Sequence, residues 1–387
     1  MKIIHFIKDE KFIDAAMSFF DDVGCENTFI CIVSSLPYDL LYIKNKSRVN
    51  LVLDNDVFDI LHNVDAYDTV CFHSLPITWY KYVLEVPKEK KVMWSSFGFD
   101  IYYPMGDCPA IYNMEIYKPL TKKIYGPQRV SMLSLLKTIV KWCILPIRQY
   151  RIVSKNKKKR EELIYFQKQV LQRIDFCSTI LQSEFALIKD RLSVDVKYYP
   201  SPYIAKNRNT GKIDVDKENA NYILVGNSAD PSNNYLDVLA LIDKRKIRNK
   251  IYMPLAYGIS KNKSYLTELF ANNDKYIIQD TFVARDEYDK ILKKCRVAVM
   301  GHTRQQAMGN ILYFLAHGLK VFLYKESIAY KFFKENGVHI FSIEDELCQE
   351  EIDTPLEDFK KDFNIRFVLC NWDYDKRVSM VSDIINV

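Results

Sequence analysis

The chain has no Cys-x-x-Cys pair, although nine of its 387 residues are cysteines. Most of these cysteines lie in apolar runs, as Cys31 and Cys71 do, which favours buried thiols in a reducing compartment over disulfides or a zinc site. Glycine and proline are scarce, with 11 and 13 residues, and no low-complexity tract occurs. The composition is therefore typical of a well-ordered globular protein.

Two common nucleotide-binding motifs are missing as well. Gly-x-Gly-x-x-Gly and Gly-x-x-x-x-Gly-Lys-Ser/Thr do not occur, which disfavours a nicotinamide-dependent dehydrogenase and a P-loop NTPase. The first apolar run is interrupted by Lys8, Asp9 and Glu10. It indicates a first strand and a turn rather than a signal peptide.

Acidic residues are absent from Ile116 to Arg160, where lysine and arginine abound. The whole chain has a formal net charge of only +6, so the positive charge is concentrated in this segment. Between Ser131 and Leu145 a wide apolar face accompanies a narrow polar stripe, the pattern of a helix lying in a membrane interface and attracted to anionic lipid. The predicted membrane-contacting residues are Lys137, Lys141, Trp142, Arg148, Arg151, Lys157, Lys158, Lys159 and Arg160.

A core helix with a solvated basic tail explains the same segment equally well. Binding to nucleic acid is disfavoured, because no known reader module is present.

Strand-like apolar runs alternate with helical patterns in both halves of the chain. In the first half the predicted strands are 2–7, 28–33, 49–53, 68–73 and 90–94, and helices are predicted over 11–21 and about 161–173. The second half repeats strand–helix units from Asn221 onwards. This order predicts an α/β protein with two Rossmann-like domains whose parallel sheets face a central cleft.

The polar stretch near 205–218 is the predicted linker. The predicted domains are 1–205, which includes the basic segment at about 116–173, and 218–375, followed by a helix end at 376–387.

Two polar loops follow apolar strands in the second half. "GNSADPSNN" begins at Gly226, and its Ser232 or Asn233 is placed to cap the next helix. "GHTRQQAMGN" begins at Gly301, and we expect the residues from Thr303 to Gln306 in the first turn of the helix that follows. Free amide groups with Arg304 suit a phosphate group, and Gly309 suggests close approach of a ligand.

His73 and Asp100 are candidates for a general base in the first half, because each follows a strand and can accept a proton from a hydroxyl. The alternatives are a hydrogen-bonded structural histidine and an aspartate that caps the helix at Ile101.

Several segments resemble a known family. "LVGNSADPSNNYLDVLALI", "YMPLAYG", "ARDEYDKILKKCRVAVM" and "RQQAMGNILYFLAHGLKVFL" are similar to the TDP-N-acetylfucosamine:lipid II N-acetylfucosaminyltransferases, glycosyltransferases of GT-B type. "FHSLP" and "WSSFGFDIY" resemble two further family blocks, except that Phe97-Gly98 stands where the family has Trp-Gly. The donor-binding residues that the resemblance implies are Gly226, Asn227, Ser228, Tyr257, Arg304, Gln305, Gln306, Gly309 and Asn310.

The resemblance implies sugar transfer from a nucleoside diphosphate to a polyprenyl-diphosphate-linked saccharide at the cytoplasmic face of the membrane. We expect a metal-independent reaction without a cofactor, and the sequence leaves inversion or retention at the anomeric carbon open. A nucleotide-sugar epimerase and a non-catalytic polysaccharide-assembly protein are the alternatives.

Overall fold

The computed structural model describes residues 1–126, 146–203 and 220–385. The chain forms two compact units, each built from separate segments. The first contains Met1–Asn113, Arg129–Asn207 and Tyr374–Val387, and the second contains Met114–Gln128 and Arg208–Asp373.

This division differs from the predicted domains at two places. Residues 114–128 belong to the second unit, where the backbone N–H of Lys118 donates a 2.8 Å hydrogen bond to the side chain of Asn234. The carboxyl-terminal residues belong to the first unit, where the hydroxyl of Tyr374 donates a 2.7 Å hydrogen bond to Asp22. Neither long-range contact has a signature in the local sequence.

The first unit contains a parallel sheet of seven strands in the order β3-β2-β1-β4-β5-β6-β7. Its strands are β1 (Lys2–Ile7), β2 (Glu26–Val33), β3 (Val49–Leu53), β4 (Thr69–His73), β5 (Lys91–Ser95), β6 (Phe176–Ser178) and β7 (Lys197–Tyr198). The predicted strands are confirmed within two residues at each end.

The second unit contains a parallel sheet of six strands in the order β10-β9-β8-β11-β12-β13. Its strands are β8 (Tyr222–Val225), β9 (Lys250–Pro254), β10 (Tyr276–Gln279), β11 (Cys295–Met300), β12 (Lys320–Leu323) and β13 (Phe341–Ser342). Strands β8, β11 and β12 are buried almost throughout, as expected for apolar strands of a sheet covered on both faces.

Helices connect the strands in both units. In chain order they are α1 (Ile13–Asp22), α2 (Val57–Leu61), α3 (Tyr80–Glu85), α4 (Phe99–Tyr102), α5 (Pro119–Tyr125), α6 (Pro146–Gln172), α7 (Gln182–Ile188), α8 (Tyr235–Lys244), α9 (Ser260–Phe270), α10 (Arg285–Lys293), α11 (Met308–Ala316), α12 (Ile328–Glu335), α13 (Gln349–Asp353), α14 (Asp358–Asn371) and α15 (Tyr374–Ile385).

Helix α6 corrects one prediction, because it begins at Pro146 and not near Glu161. Proline is favourable in the first turn of a helix, and the lysine and arginine residues that follow are good helix formers.

Both sheets reverse their strand order at one point. The chain passes from β1 outwards to β3 and returns to place β4 beside β1, and it does the same with β8, β10 and β11. Ligands of open parallel sheets bind outside the carboxyl ends of the strands at such a point. The loops after β1 and β4, and those after β8 and β11, are therefore the positions for functional residues.

Candidate active site

Three loops leave the carboxyl edge of the second sheet and pack against one another, at 226–234, 255–259 and 301–307. Glycine permits this packing. Gly226 has a φ angle of +70°, and a Cβ there would collide with the hydroxyl of Tyr235. A Cβ on Gly301 would collide with the carbonyl oxygen of Asn233. A side chain at either position would push the loops apart.

The side chain of Asn233 joins the loops that follow β8 and β11. Its amide oxygen accepts hydrogen bonds from the backbone N–H of Asn227 (3.0 Å) and from Nε2 of His302 (2.9 Å). Its amide nitrogen donates to the carbonyl oxygens of Ser228 (3.0 Å) and Asp230 (2.9 Å). Because Asn233 is fully buried, these bonds replace its contacts with water and fix both loops.

The loop after β8 also corrects a predicted helix cap. Asp230 caps a single 3₁₀ turn at Pro231–Asn233 by accepting a 2.9 Å hydrogen bond from the backbone N–H of Ser232. Helix α8 then begins at Tyr235 without a side-chain cap. Neither Ser232 nor Asn233 caps that helix, because tertiary contacts occupy both side chains.

The Arg-Gln-Gln segment at 304–306 lies in the loop before α11, which corrects its predicted place in the first helical turn. Ala307 adopts a left-handed conformation with a φ angle of +53°, so the helix begins only at Met308. The side-chain oxygen of Gln306 accepts a 2.5 Å hydrogen bond from the hydroxyl of Ser232. The segment therefore contacts the loop after β8.

Arg304 is nearly buried within this edge of the sheet. Its Nη1 donates a 2.9 Å hydrogen bond to the carbonyl oxygen of Gln305. Burial raises the pKa of Tyr257, and the charge of Arg304 partly opposes this rise. Burial and, to a lesser extent, the same charge lower the pKa of His302 to about 3. The charge of the guanidinium group thus acts on a side chain of its own loop and on one of the loop at 255–259.

Most of the predicted donor-binding residues lie at this one edge of the second sheet. The side-chain nitrogen of Asn227 lies 3.4 Å from the hydroxyl of Tyr257, and Ser228 also interacts with Tyr257. The residues that the three loops bring together are Gly226, Asn227, Ser228, Tyr257, Arg304, Gln305 and Gln306. Their roles in donor binding stay predictions.

The remaining two, Gly309 and Asn310, lie in the first turn of α11. The first hydrogen bonds of this helix run from the amides of Asn310 (2.9 Å) and Ile311 (3.0 Å) to the carbonyl oxygen of Ala307. Gly309 is exposed, and a Cβ there would meet no other described atom within 4 Å. The turn is open, and its amides and helix dipole suit an anion.

Neither His302 nor Asn233 is predicted as a site residue from the sequence. His302 is fully buried, and its Nδ1 has no hydrogen-bond partner among the described residues. The available signal is its position, directly after Gly301, the glycine that follows β11 at the reversal of strand order.

His73 lies at the end of β4 in the first unit and is fully buried. Its Nδ1 lies 2.9 Å from the hydroxyl of Tyr203, and its Nε2 lies 3.1 Å from Nδ1 of His5. Nε2 of His5 in turn lies 3.0 Å from the side-chain oxygen of Asn27. Burial lowers the pKa of His5 to about 4 and that of His73 well below its ordinary value. Both imidazoles are therefore neutral at pH 7.

The two histidines lie beside Cys71, and histidine and cysteine are both residue types that bind metal ions. Ligand atoms of His5, Cys71 and His73 lie within 4.8 Å of one another. All four imidazole nitrogens already have hydrogen-bond partners, so hydrogen bonds alone account for this cluster. The expectation of a metal-independent reaction stays a prediction.

Asp100, the other predicted base, is fully buried in α4. Its Oδ2 accepts hydrogen bonds from the backbone N–H of Leu75 (2.9 Å) and from Nε1 of Trp94 (2.9 Å). Its Oδ1 accepts one from the backbone N–H of Phe97 (3.1 Å). Burial raises the pKa of Asp100, and these hydrogen bonds oppose the rise. The carboxylate organises the loops after β4 and β5, and its catalytic role stays a prediction.

Glu10, in the loop after β1, is a further carboxylate at this edge that the sequence did not single out. Its side chain is exposed, and no described residue donates a hydrogen bond to its carboxylate. Partial burial raises its pKa, opposed by Lys8 and Lys11. Its charge also acts on Tyr203, the partner of His73. Glu10 therefore combines access to solvent with a position at the reversal of strand order.

The predicted membrane segment is described only in part. Lys137, Lys141 and Trp142 lie outside the described residues. Helix α6 contains Arg148, Arg151 and Lys157. It also contains three exposed residues, Lys158, Lys159 and Arg160. Among the described residues no helix is long and apolar enough to cross a membrane.

Solved structures show the class of this fold. Anabaena Alr3699/HepE, in complex with UDP and glucose, is 10% identical, with 100% of this chain and 99% of that chain covered and a TM-score of 0.57. The lipopolysaccharide outer core galactosyltransferase WaaB, in its apo form, is 10% identical, with 100% of both chains covered and a TM-score of 0.54. The two parallel-sheet units define a GT-B fold, which confirms the predicted fold class.

The amino-acid sequence shows the family to which the protein belongs. The model of the 4-alpha-L-fucosyltransferases, glycosyl transferase group 56, matches residues 153–373, more than half of the chain. The protein belongs to this family and is a glycosyltransferase. The predicted family and enzyme class are thereby confirmed, and neither an epimerase nor a non-catalytic protein is favoured.

Proposed function

We propose that the protein transfers a sugar from a nucleoside diphosphate to a saccharide carried on a polyprenyl diphosphate, in the assembly of a bacterial surface polysaccharide. The sugar is N-acetylfucosamine-like or a related hexose or amino sugar, and the reaction takes place at the cytoplasmic face of the plasma membrane. The fucosyltransferase description of the family and the UDP and glucose bound by HepE support a sugar-nucleotide donor.

One observation carries the donor site in this proposal. The loops after β8 and β11 are fixed to each other by Asn233, beside the nearly buried Arg304 and the open first turn of α11. This arrangement combines a guanidinium group, free amides and a helix amino terminus, which together suit a diphosphate.

The same groups have a role in bond cleavage. As the bond between the anomeric carbon and the diphosphate oxygen breaks, negative charge grows on the leaving group. Arg304 and the amides of Met308 and Gly309 would stabilise that charge, and the low exposure of Arg304 strengthens its effect. We therefore expect no metal ion to be needed for this step.

The acceptor hydroxyl forms the new bond to the anomeric carbon and must lose its proton. If the reaction inverts that carbon, a side chain of the first unit accepts the proton directly. Asp100 and His73 stay candidates from the sequence, but both are fully buried. Glu10 is exposed at the carboxyl edge of the first sheet, so its carboxylate is open to an approaching acceptor.

The positive charge of the sequence supports the proposed membrane-bound acceptor. The basic segment from Lys137 to Arg160 would attract an anionic membrane surface, where polyprenyl diphosphates reside. No role of nucleic acid is expected.

Thermal denaturation with UDP, TDP and GDP tests the donor site. A nucleotide that binds only the folded protein stabilises it by about 2.7 kcal/mol at a concentration of 100 Kd. We expect one of the three to raise the denaturation temperature, and the matching nucleotide sugar to label a polyprenyl-diphosphate saccharide detected by mass spectrometry. No shift with any nucleotide at millimolar concentration, together with no labelled product, would sink the proposal.

A further inference from the structure

Residues 115–121 pack against the loops that form the candidate donor site. This segment includes the first turn of α5 and belongs to the second unit. Its backbone forms hydrogen bonds with side chains from the loop after β8, from the loop after β11 and from α8. We call residues 115–121 the bracing segment. It is distant from these loops in sequence, since 116 residues separate Lys118 from Asn234.

The bracing segment holds Thr303, the residue directly before Arg304. Thr303 is fully buried. Its hydroxyl donates to the carbonyl oxygens of Glu115 (2.9 Å) and Ile116 (3.2 Å), which share its proton. The carbonyl oxygen of Thr303 accepts a 3.2 Å hydrogen bond from the backbone N–H of Ile328, at the start of α12. The backbone next to Arg304 is therefore fixed from two sides.

Asn234 connects the bracing segment to both donor loops. Its side-chain oxygen accepts a 2.8 Å hydrogen bond from the backbone N–H of Lys118. Its side-chain nitrogen donates to the carbonyl oxygens of Ile116 (3.1 Å) and Gly301 (2.7 Å). Asn234 is fully buried, so loss of the bonds to the bracing segment would leave part of a buried amide group unsatisfied.

Asp237 in α8 fixes the other end of the bracing segment. Its Oδ1 accepts a 2.8 Å hydrogen bond from the backbone N–H of Leu120. Its Oδ2 accepts two more from Thr121, one from the backbone N–H (2.9 Å) and one from the hydroxyl (2.7 Å). A carboxylate that binds the free amides of a first helical turn caps that helix. Asp237 thus holds α5, and with it the carbonyl groups that bind Thr303.

The result is a fixed backbone in front of Arg304. The three residues before it each form a hydrogen bond to another part of the second unit, and they are Gly301, His302 and Thr303. The first two bonds connect the donor loops to each other, whereas the third comes from the bracing segment. A guanidinium group that is held before the ligand arrives loses less conformational freedom on binding.

We propose that the bracing segment is a positioning element of the donor site. Its carbonyl oxygens hold Thr303 and thereby place Arg304 for contact with the diphosphate of the donor. Thr303 and Asp237 are positioning residues that act through Arg304. This inference rests on the proposed function, since it requires a nucleoside diphosphate at Arg304.

Isothermal titration calorimetry of the full-length protein with UDP, TDP and GDP tests this role. Thr303→Val removes the hydroxyl and keeps the shape of the side chain, whereas Thr303→Ser keeps the hydroxyl. For the nucleotide that binds the wild type, we expect the valine variant to raise Kd about fivefold or more and the serine variant to stay within about twofold. Thr354→Val is the control, because the hydroxyl of the exposed Thr354 donates only to the nearby carbonyl oxygen of Glu350.

A double-mutant cycle separates positioning from a general loss of stability. In an Arg304→Ala background, Thr303→Val should raise Kd no further, because its effect passes through the guanidinium group. Denaturation temperatures show that each variant is folded at the temperature of the titration.

Asp237→Asn tests the same role from the other end of the bracing segment. It weakens the cap of α5 and should raise Kd about threefold. Asp243→Asn is the matched control, because Asp243 lies on the same helix and forms an ion pair with Lys275 instead. This control should leave Kd unchanged.

Wild-type affinity in Thr303→Val would overturn the inference, as would an equal further loss in the Arg304→Ala background. Equal affinities of Asp237→Asn and Asp243→Asn would also contradict it. These results leave the proposed function intact, because the wild type still binds the nucleotide. If none of the three nucleotides binds the wild type, the proposed function fails and this inference fails with it.

Discussion

The side-chain oxygen of Asn233 lies 2.9 Å from Nε2 of His302, and this hydrogen bond connects the loops after β8 and β11. Both side chains are fully buried. The amide oxygen requires the proton on Nε2 of His302, so the unpartnered Nδ1 carries the lone pair. The relative position of the two loops therefore depends on this pair of neutral side chains.

We expect Asn233→Asp to destabilise the second unit. The substitution replaces an NH₂ donor by a carboxylate oxygen that faces the carbonyl oxygens of Ser228 and Asp230, and an unpaired buried charge is strongly unfavourable. The loss is about 3 kcal/mol or more, seen as a lower denaturation temperature. Asn221→Asp, at the opposite edge of the sheet, is the control. Equal temperatures for the two variants would contradict a structural role of Asn233.

Arg304→Ala should weaken catalysis while the protein stays folded. Loss of a charged group that binds phosphate in the transition state lowers kcat/KM by about tenfold to several hundredfold. Initial rates at varied donor concentration measure this, and Arg304→Lys should recover only part of the loss, because lysine has no planar fork.

Arg248→Ala provides the matched control for Arg304. Arg248 is exposed and precedes β9, at the opposite edge of the same sheet. Its removal should leave kcat and donor KM unchanged. The phosphate role of Arg304 fails if its alanine variant has the kinetics of this control.

Glu10→Gln should lower kcat about a hundredfold or more without changing nucleotide-induced thermal shifts, if Glu10 is the base. A carboxylate base works when deprotonated, so wild-type activity should fall as the pH decreases. Because partial burial raises the pKa of Glu10, against the effects of Lys8 and Lys11, this fall should begin above the ordinary range of a carboxylate. The acidic limb should be absent from the Gln variant.

The exposed Glu89 at the opposite edge of the same sheet provides the control for Glu10. Glu89→Gln should retain both the rate and the acidic limb. If Asp100→Asn abolishes transfer while Glu10→Gln retains it, the base is the buried carboxylate predicted from the sequence, and a rearrangement must open its site.

Local sequence was sufficient for much of the fold. Apolar runs such as Ile3–Ile7, interrupted only by His5, and Val297–Met300 predict buried parallel strands, because neither face of such a strand is polar throughout. The loops after β8 and β11 were also predictable, since polar residues directly after a buried strand mark the ligand edge of a parallel sheet. The hydrogen bonds that fix these loops to each other were not predictable.

The remaining features depend on contacts between distant residues. Asn233 has the sequence pattern of a helix cap, but the backbone of Asn227 and the ring of His302 occupy its side chain. The start of α11 was misplaced because Ala307 is left-handed, a conformation that alanine rarely adopts and that no local pattern signals. Asp100 could be recognised as a polar residue after a strand, but one of its donors, the amide of Leu75, comes from the loop after β4, 25 residues away.

The buried histidines predict a stability that falls in acid. Burial depresses the pKa of His5 to about 4 and of His302 to about 3, from an ordinary value of 6.5 in the unfolded chain. A group with a depressed folded pKa contributes stability that is complete above the unfolded pKa and is lost as the pH falls towards the folded one. The denaturation temperature should therefore decrease from about pH 6.5 towards pH 4.

His302→Gln separates this effect from general acid denaturation. Glutamine can keep a donor near Asn233 but does not titrate, so the variant should have a shallower loss of stability between about pH 6.5 and 4. His62→Gln, which changes an exposed histidine, should retain the wild-type slope. Calorimetry of the three proteins across this range measures the difference, and parallel curves for all three would show that His302 takes up no proton on unfolding.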